Sequence, residues 1–123
     1  MKVLLSIKPE FAESILNGEK RFEFRKGVFR NKEVKTVVIY ATMPVGKVVG
    51  EFDIDGIISS EPAELWKTTR KYAGITRDFF DAYFSQRTTG FAIAVKNPRR
   101  YENPVLLKEL VPGAVPPQSF RYI

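Results

Sequence analysis

Charged side chains alternate with two phenylalanines over one short stretch of the chain, formed by Lys20, Arg21, Phe22, Glu23, Phe24 and Arg25. In a β-strand this alternation would send both phenylalanines to one face and Arg21, Glu23 and Arg25 to the other. Cations outnumber the single carboxylate on that charged face, so it could hold an anionic ligand while Glu23 keeps the arginines oriented. A solvated strand, on which Glu23 only pairs with its neighbours, fits the spacing equally well, because surface ion pairs are common and weak.

The lysine and the glutamate of this run are also candidates for proton transfer. Burial would lower the pKa of Lys20 and make its amine a base or a nucleophile. Glu23 could act as an acid or a base if it were partly desolvated. The chain contains no cysteine and no histidine. The sequence therefore excludes thiolate nucleophiles, cysteine-ligated zinc, Ser-His-Asp triads and two-histidine ribonuclease mechanisms.

Two other patterns have a chemical interpretation and a simpler structural one. Glu51, Asp53 and Asp55 could share a strand face and bind a hard cation. Such spacing far more often marks the solvent-exposed face of a sheet, so we predict no metal site and no cofactor. Aromatic side chains at helical spacing could stack bases, but they more often belong to the core: Phe79, Phe80, Tyr83 and Phe84.

The distribution of basic residues points to an anionic partner, with nucleic acid first. The formal net charge is +6, although many basic domains use such a charge only for solubility. One cluster of cations lies between residues 20 and 32, and Arg99 and Arg100 form a second. Together with Tyr101, the second cluster suits contact with a nucleic-acid backbone, and a solvated loop is an equally good interpretation. Tyr40 and Thr42 share a strand face from which either could contact a ligand.

The size and composition indicate one ordinary globular domain. A chain of 123 residues supports a single core, and 44% hydrophobic with 28% charged residues is typical of soluble domains. No apolar run approaches the roughly 20 residues that cross a bilayer, and no signal-peptide pattern is visible at the N-terminus. We therefore expect a cytoplasmic protein without a membrane partner, of an oligomeric state that the sequence does not predict.

The elements around the charged run are clear from the hydrophobic pattern. Residues 2–7 read as a buried strand, and Pro9 suits the first position of a helix that packs one apolar face on the core. Gly18 is a good helix stop, because glycine accepts the left-handed conformation. Lys20 therefore lies in a turn that leads into a strand over 21–26.

The rest of the chain predicts mainly strands. We expect strands over 36–41, 45–58, 90–96 and 105–111 with a last one within 119–123, and helices opening at Pro62 and after Thr76. Gly74 should end the first of these helices, and Arg99, Arg100 and Tyr101 should lie in a loop after Pro98. About six strands with inserted helices and no βαβ alternation indicate an α+β fold with the sheet rolled into a barrel.

The charged run also resembles a known family. The pattern G-x-K-x-x-E-x-R, formed here by Gly18, Lys20, Glu23 and Arg25, is similar to the signature of ASCH domains, which are relatives of the PUA fold. Further segments match in order along nearly the whole chain and resemble a prokaryotic subgroup described as predicted transcriptional regulators: Leu4–Pro9, Tyr40–Thr42, Val49–Phe52 and Pro116–Phe120. The resemblance implies one PUA-like domain over residues 1–123, a β-barrel of about six strands with two to three flanking helices.

In this family the signature residues line a cleft beside the barrel that meets nucleic acid or a nucleoside. The resemblance thus implies a protein that binds RNA, another nucleic acid or a nucleotide-like small molecule, with a regulatory role. Together with the charge pattern, it gives these candidate binding residues: Lys8, Gly18, Lys20, Arg21, Glu23, Arg25, Lys26, Tyr40, Thr42, Arg99 and Arg100.

The alternative is a small hydrolase that acts on nucleosides or RNA through Lys20 and Glu23. Some family members hydrolyse an acetylated cytosine nucleoside with a lysine, a threonine and a glutamate. Lys20 matches that lysine, but Glu23 stands where the threonine would be, and only Thr42 or Ser6 could supply the missing hydroxyl. The family's ribonuclease activity would need Lys20, Glu23 or a carboxylate-bound metal to move protons. A third interpretation is a basic face that binds an acidic protein.

Overall fold

The computed structural model describes residues 1–123 as a six-stranded sheet and four α-helices. In chain order the elements are β1 (Lys2–Ile7), α1 (Pro9–Leu16), β2 (Phe22–Arg25), β3 (Thr36–Ala41), β4 (Lys47–Ser60), α2 (Pro62–Thr69), α3 (Arg77–Tyr83), β5 (Gly90–Val105), α4 (Leu107–Leu110) and β6 (Arg121–Tyr122). A short 3₁₀ turn, Arg70–Tyr72, follows α2. None of the helices has both the length and the apolar composition of a membrane-spanning segment.

The sheet is curled into a half-barrel with the strand order β2-β5-β4-β3-β1-β6. Strands β1 and β3 pair in parallel, with α1 and β2 in the connection between them. Every other pair is antiparallel. The α+β barrel-like fold predicted from the sequence is confirmed, but β2 and β6 are free edges, so backbone pairing does not close the barrel.

Strand β1 is buried on both faces, which explains its nearly continuous apolar sequence. Val3, Leu5 and Ile7 pack with Ile15 of α1, while Leu4 points to the opposite side of the sheet into a separate cluster. Burying each of these aliphatic side chains contributes roughly 1.5–3 kcal/mol. The position of β1 is therefore firmly fixed, and so is the turn between it and α1.

The second half of the molecule packs aromatic rings against β2. Phe24 lies edge-on to Phe80, with ring centroids 5.2 Å apart, and to Phe84 at 6.3 Å. Helix α3 begins as predicted, because the Thr76 hydroxyl accepts a hydrogen bond of 3.1 Å from the Phe79 N–H. This packing brings α3 beside β2.

Two predictions about the end of the chain are wrong. The predicted loop is absent, and its residues continue β5 instead: Arg99, Arg100 and Tyr101. A bulge at Asn97 and Pro98 interrupts the hydrogen-bond ladder with β4, so the strand can continue although the proline has no N–H to donate. The expected strand over 105–111 contains α4 instead. Its apolar residues 106, 107, 110 and 111 follow helical spacing, and Leu107 is buried.

Candidate functional site

A pocket of about 300 Å³ opens between the end of β1, α1, β2, α3 and the segment that precedes β6. The charged run supplies one wall and aromatic rings supply much of the rest. The side chains on these walls include Lys8, Phe11, Lys20, Glu23, Arg25, Phe79 and Tyr83. The structure therefore brings together four of the residues singled out from the sequence as ligand contacts, namely Lys8, Lys20, Glu23 and Arg25.

Lys20 is buried, with only 1% of its surface exposed. Its ammonium donates a hydrogen bond of 2.7 Å to the Ala73 carbonyl and lies 5.2 Å from the ring centre of Phe11 and 4.9 Å from that of Phe24. Burial lowers the pKa of Lys20 to about 8, although the negative charge of Glu23 acts in the opposite direction. The amine is therefore partly neutral at mildly alkaline pH.

Two glycines shape the backbone that holds Lys20. Gly18 ends α1 with φ +88°, as predicted, and nothing lies where its side chain would be. Gly74 has φ +68°, and a Cβ added there would collide with the Cβ and Cγ of Lys20 and come within 2.9 Å of its Cδ. The Arg21 N–H also donates to the Tyr72 carbonyl at 2.9 Å. The turn over residues 72–74 therefore cradles the stem of Lys20.

Glu23 faces the same pocket and is also buried, with 6% of its surface exposed. Burial raises the pKa of Glu23, while the positive charges of Arg25 and Lys20 oppose that shift. Arg25 donates a hydrogen bond of 3.1 Å to Oε2 of Glu23. The Oε1 atom has no protein partner, so it is available to a ligand.

Arg25 links β2 to the far edge of the half-barrel. Its guanidinium also donates to the Ser6 carbonyl at 3.3 Å and to the Ser119 carbonyl at 2.7 Å, and the Ser6 hydroxyl donates to the Pro117 carbonyl at 2.8 Å. The interpretation of a solvated strand on which Glu23 only pairs with its neighbours is therefore wrong, because the side chains of both Glu23 and Arg25 are largely buried. The chain before β6 covers that face, and the donors of Arg25 are directed at protein acceptors.

The aromatic stripe of α3 divides between the core and the pocket. Phe80 and Phe84 are buried, as the core interpretation predicts. Phe79 and Tyr83 are half-buried and line the pocket instead. Sequence reasoning missed this pair, because four aromatic residues at helical spacing do not reveal that two of them turn away from the core.

Two exposed lysines without an anionic partner lie against aromatic rings that line the pocket. The Lys8 ammonium lies 4.9 Å from the ring centre of Phe79, and that of Lys26 lies 4.9 Å from Tyr83. Arg21 stacks at 4.2 Å over Tyr72, outside the pocket. These cations can approach a phosphate at little cost, because no salt bridge must be broken first.

The second basic cluster is arranged differently. Arg99 pairs with Glu51 at 2.8 Å and with Asp53 at 3.0 Å, and Arg100 makes two 2.8 Å hydrogen bonds to Glu13. Hydrogen bonds lower the pKa of Asp53 to about 2, and the one from Arg99 has the largest effect. The charges of this cluster are therefore locally neutralised, and none of these residues lines the pocket.

The remaining predicted contacts also lie away from the pocket. Tyr40 is buried beside Leu4 and Val48 in a cluster on another part of the sheet. Thr42 lies in the turn after β3, where its N–H donates to the Ile7 carbonyl at 3.0 Å. Of the two hydroxyls considered as replacements for a threonine nucleophile, only that of Ser6 is in the pocket wall.

Comparison with known proteins gives one family and several relatives. The family model described as "ASCH domain" matches residues 5–105. A Zymomonas mobilis protein named "ASCH domain-containing ribonuclease" is 30% identical over 124 aligned positions, which cover 99% of this chain and 84% of the relative. A Ureaplasma parvum protein named "Large ribosomal subunit protein uL22" is also 30% identical, and the match covers 98% of this chain but only 39% of that protein.

Solved structures share the fold. The crystal structure of an ASCH protein from Zymomonas mobilis superposes with a TM-score of 0.92 at 27% identity, covering 99% of this chain and 87% of that one. The N-terminal domain of McrB from Staphylothermus marinus matches with a TM-score of 0.59 at 16% identity, over 89% of this chain and 78% of that domain. The second likeness concerns the fold alone.

Proposed function

The chain belongs to the ASCH domain family, and we propose that it is a ribonuclease whose pocket uses Glu23 and Lys20 for proton transfer. The name of the Zymomonas mobilis relative supports an action on RNA. The net charge of +6 and the unpaired cations around the pocket suit a polyanionic substrate. The proposed proton transfers are assigned from the side chains of this protein and not from that relative.

The observation that carries the proposal is the pair of ionisable groups in one open pocket. Burial lowers the pKa of Lys20 to about 8 and raises that of Glu23, so both pKa values move towards neutrality. Opposite pKa shifts of this kind allow one group to hold a proton as an acid while the other accepts one as a base at the same pH. Such pairs are concentrated at active sites. Two groups poised in this way replace the histidines that the chain lacks.

In the proposed reaction the 2′-hydroxyl of RNA attacks the adjacent phosphorus. Glu23, as a carboxylate, takes the hydroxyl proton on its free Oε1. The Lys20 ammonium stabilises the developing phosphorane charge and donates a proton to the departing 5′-oxygen. The P–O5′ bond breaks as the P–O2′ bond forms, which gives a 2′,3′-cyclic phosphate and a 5′-hydroxyl. An ammonium of pKa about 8 is a better acid for this step than an ordinary lysine.

The other residues of the site have supporting roles in this proposal. Arg25 orients Glu23 and holds the chain before β6 over the pocket. Lys8 and Lys26 contact phosphates on either side of the reacting group as point charges. Gly18 supplies the turn that places Lys20, and Arg21 extends the basic surface beyond the pocket.

Cleavage of an end-labelled single-stranded RNA tests this function. Glu23→Gln and Lys20→Met should each lower kcat/KM by about 10²–10⁴-fold, the usual contribution of a positioned acid or base. Glu19→Gln and Lys108→Met are matched controls, because both side chains are exposed and outside the pocket. Equal cleavage by all four variants, purified in parallel, would refute the proposed catalytic pair.

Binding of RNA without cleavage, in a regulatory role such as transcriptional control, is the second candidate. The unpaired Lys8 and Lys26 are compatible with it, since they would serve a binder as well as an enzyme. The variant Glu23→Gln separates the two functions. It should maintain or increase affinity in a binder, because it removes a negative charge near phosphate, whereas in an enzyme turnover collapses while binding persists.

A further inference from the structure

We infer that a second cavity, at the other end of the half-barrel, is a phosphate-binding site that holds the RNA backbone away from the reacting group. This inference rests on the proposed function and extends its substrate-binding surface. The second cavity measures about 310 Å³ and lies between β4 and the loop that joins β2 to β3. It shares no residue with the pocket around Lys20.

Three exposed cations line the second cavity, and none of them forms a salt bridge: Arg30, Lys32 and Lys35. No carboxylate is among the lining residues. Of the acidic residues beside them in the sequence, Glu33 points elsewhere and Asp55 lies 4.0 Å from the ammonium of Lys96. A phosphate can therefore approach these cations without first breaking an ion pair or meeting a negative charge. The site accounts for the half of the first basic cluster that the pocket around Lys20 does not use.

The loop that carries these cations is anchored by the core and by its own hydrogen bonds. Phe29 and Val34 are buried at its two ends. Between them, the Asn31 side chain accepts a hydrogen bond of 2.9 Å from the Glu33 N–H, and the Asn31 carbonyl accepts one of 3.3 Å from the Val34 N–H. On the opposite wall, β4 leaves its ladder with β5 in a bulge around Gly56, whose φ is +104°. The cations are thus held over an existing cavity, so little order is lost when a ligand binds.

The two cavities lie at opposite ends of β1. Ser6 lines the pocket around Lys20, whereas the Lys35 N–H, beside the second cavity, donates to the Met1 carbonyl at 3.4 Å. At about 3.3 Å per residue, the ends of β1 are roughly 17 Å apart. Successive phosphates of a stacked strand are about 3.4 Å apart, so this distance corresponds to about five phosphates. An RNA oligomer of that length or more can reach both cavities, whereas a dinucleotide cannot.

Binding of two RNA probes of different length tests the inference. Both have 2′-O-methyl sugars, which prevent attack by the 2′-hydroxyl. A labelled oligomer of about ten nucleotides is followed by fluorescence anisotropy over a salt series, and a dinucleotide by NMR chemical shifts of the pocket around Lys20. The double variant Lys32→Gln with Lys35→Gln should weaken binding of the long probe by about tenfold and lower its salt slope by about one to two. Arg30→Gln should act in the same direction, and binding of the dinucleotide should change in neither variant.

The matched control is the double variant Lys47→Gln with Lys108→Gln. It removes the same charge from two exposed positions outside both cavities, and it should change the affinity for the long probe by less than about twofold, because distant charges are screened by salt. Equal losses in the two double variants would overturn the inference, and so would wild-type binding of the long probe by the Lys32 and Lys35 variant. A loss of dinucleotide binding in that variant would also overturn it, since its charges would then act on the first pocket. If RNA is still cleaved through Glu23 and Lys20, each of these results leaves the proposed function standing. Failure of the wild-type protein to bind or cleave any RNA would overturn both.

Discussion

Replacing Gly74 by alanine tests whether the turn over residues 72–74 positions the amine of Lys20. The added methyl group would occupy space that the stem of Lys20 fills, within 2.9 Å of Cδ and closer still to Cγ. The stem must therefore move, and the ammonium would lose its 2.7 Å hydrogen bond to the Ala73 carbonyl. The substitution changes no group that touches a ligand.

The expected magnitudes follow from this geometry. Alanine at φ +68° costs roughly 1–2 kcal/mol of backbone strain, and the collision with Lys20 adds about 1–3 kcal/mol of overpacking. A displacement of the order of 1 Å at a catalytic group can reduce the rate by about 10²-fold. We therefore expect kcat/KM for RNA cleavage to fall by about that factor, with a smaller change in KM.

The matched control is Gly113→Ala. Gly113 also has a left-handed backbone, with φ +78°, but it lies outside the pocket and nothing lies within 4 Å of an added methyl group. Both variants should lose stability to chemical denaturation from strain, and only Gly74→Ala should lose activity. NMR of the ¹³C-dimethylated amine should show the pKa of Lys20 rising from about 8 towards 10.5 as the amine becomes hydrated. Equal activities and an unchanged pKa in the two variants would refute the positioning role.

Further substitutions separate the contributions of neighbouring charges. Arg25→Gln should lower the free energy of unfolding by about 2–4 kcal/mol, because Glu23 would lose its buried partner, and should raise the pKa of Glu23 further. Urea unfolding measures the loss of stability, and the acid limb of the pH dependence of cleavage reports the pKa of Glu23. An acid limb that does not move would contradict the expected rise in that pKa. Lys20→Met should raise the free energy of unfolding at pH 7 by about 1–3 kcal/mol, because the folded state disfavours the ammonium. That gain should be full below about pH 8 and disappear as the pH rises towards 10.5, and a loss of stability at pH 7 would contradict it. Lys8→Gln should reduce RNA affinity and lower the salt slope by about one, whereas Arg99→Gln should change neither, because Arg99 is already ion-paired; equal effects would contradict the distinction.

Local sequence patterns predicted the fold and the wall of the pocket that carries the charges. The glycine stop at Gly18 and the alternation that follows it placed Lys20 in a turn before β2, as the structure has it. Period-2 alternation also placed Glu23 and Arg25 on a face opposite Phe24. These predictions succeeded because each depends on residues that are close in sequence.

The rest of the site depends on contacts between distant parts of the chain. The partner of the Lys20 ammonium is 53 residues away, and Arg25 reaches a carbonyl 94 residues further along. No local pattern shows that these contacts bury the charged face, or that Phe79 turns towards the pocket. The bulge before Arg99 was missed for a related reason, since Pro98 suggests a loop unless the partner strand is known.

The central claim is that Glu23 and Lys20 transfer protons in RNA cleavage, and the pH dependence of kcat/KM tests it most directly. The rate should rise as Glu23 becomes a carboxylate above its raised pKa and fall above about pH 8, where the Lys20 ammonium loses its proton. Lys20→Arg should abolish the alkaline fall and also lower the maximal rate, because a guanidinium stays protonated and cannot release a proton to the leaving oxygen. An alkaline limb that keeps its position in Lys20→Arg, or a wild-type rate that does not change around about pH 8, would contradict the account.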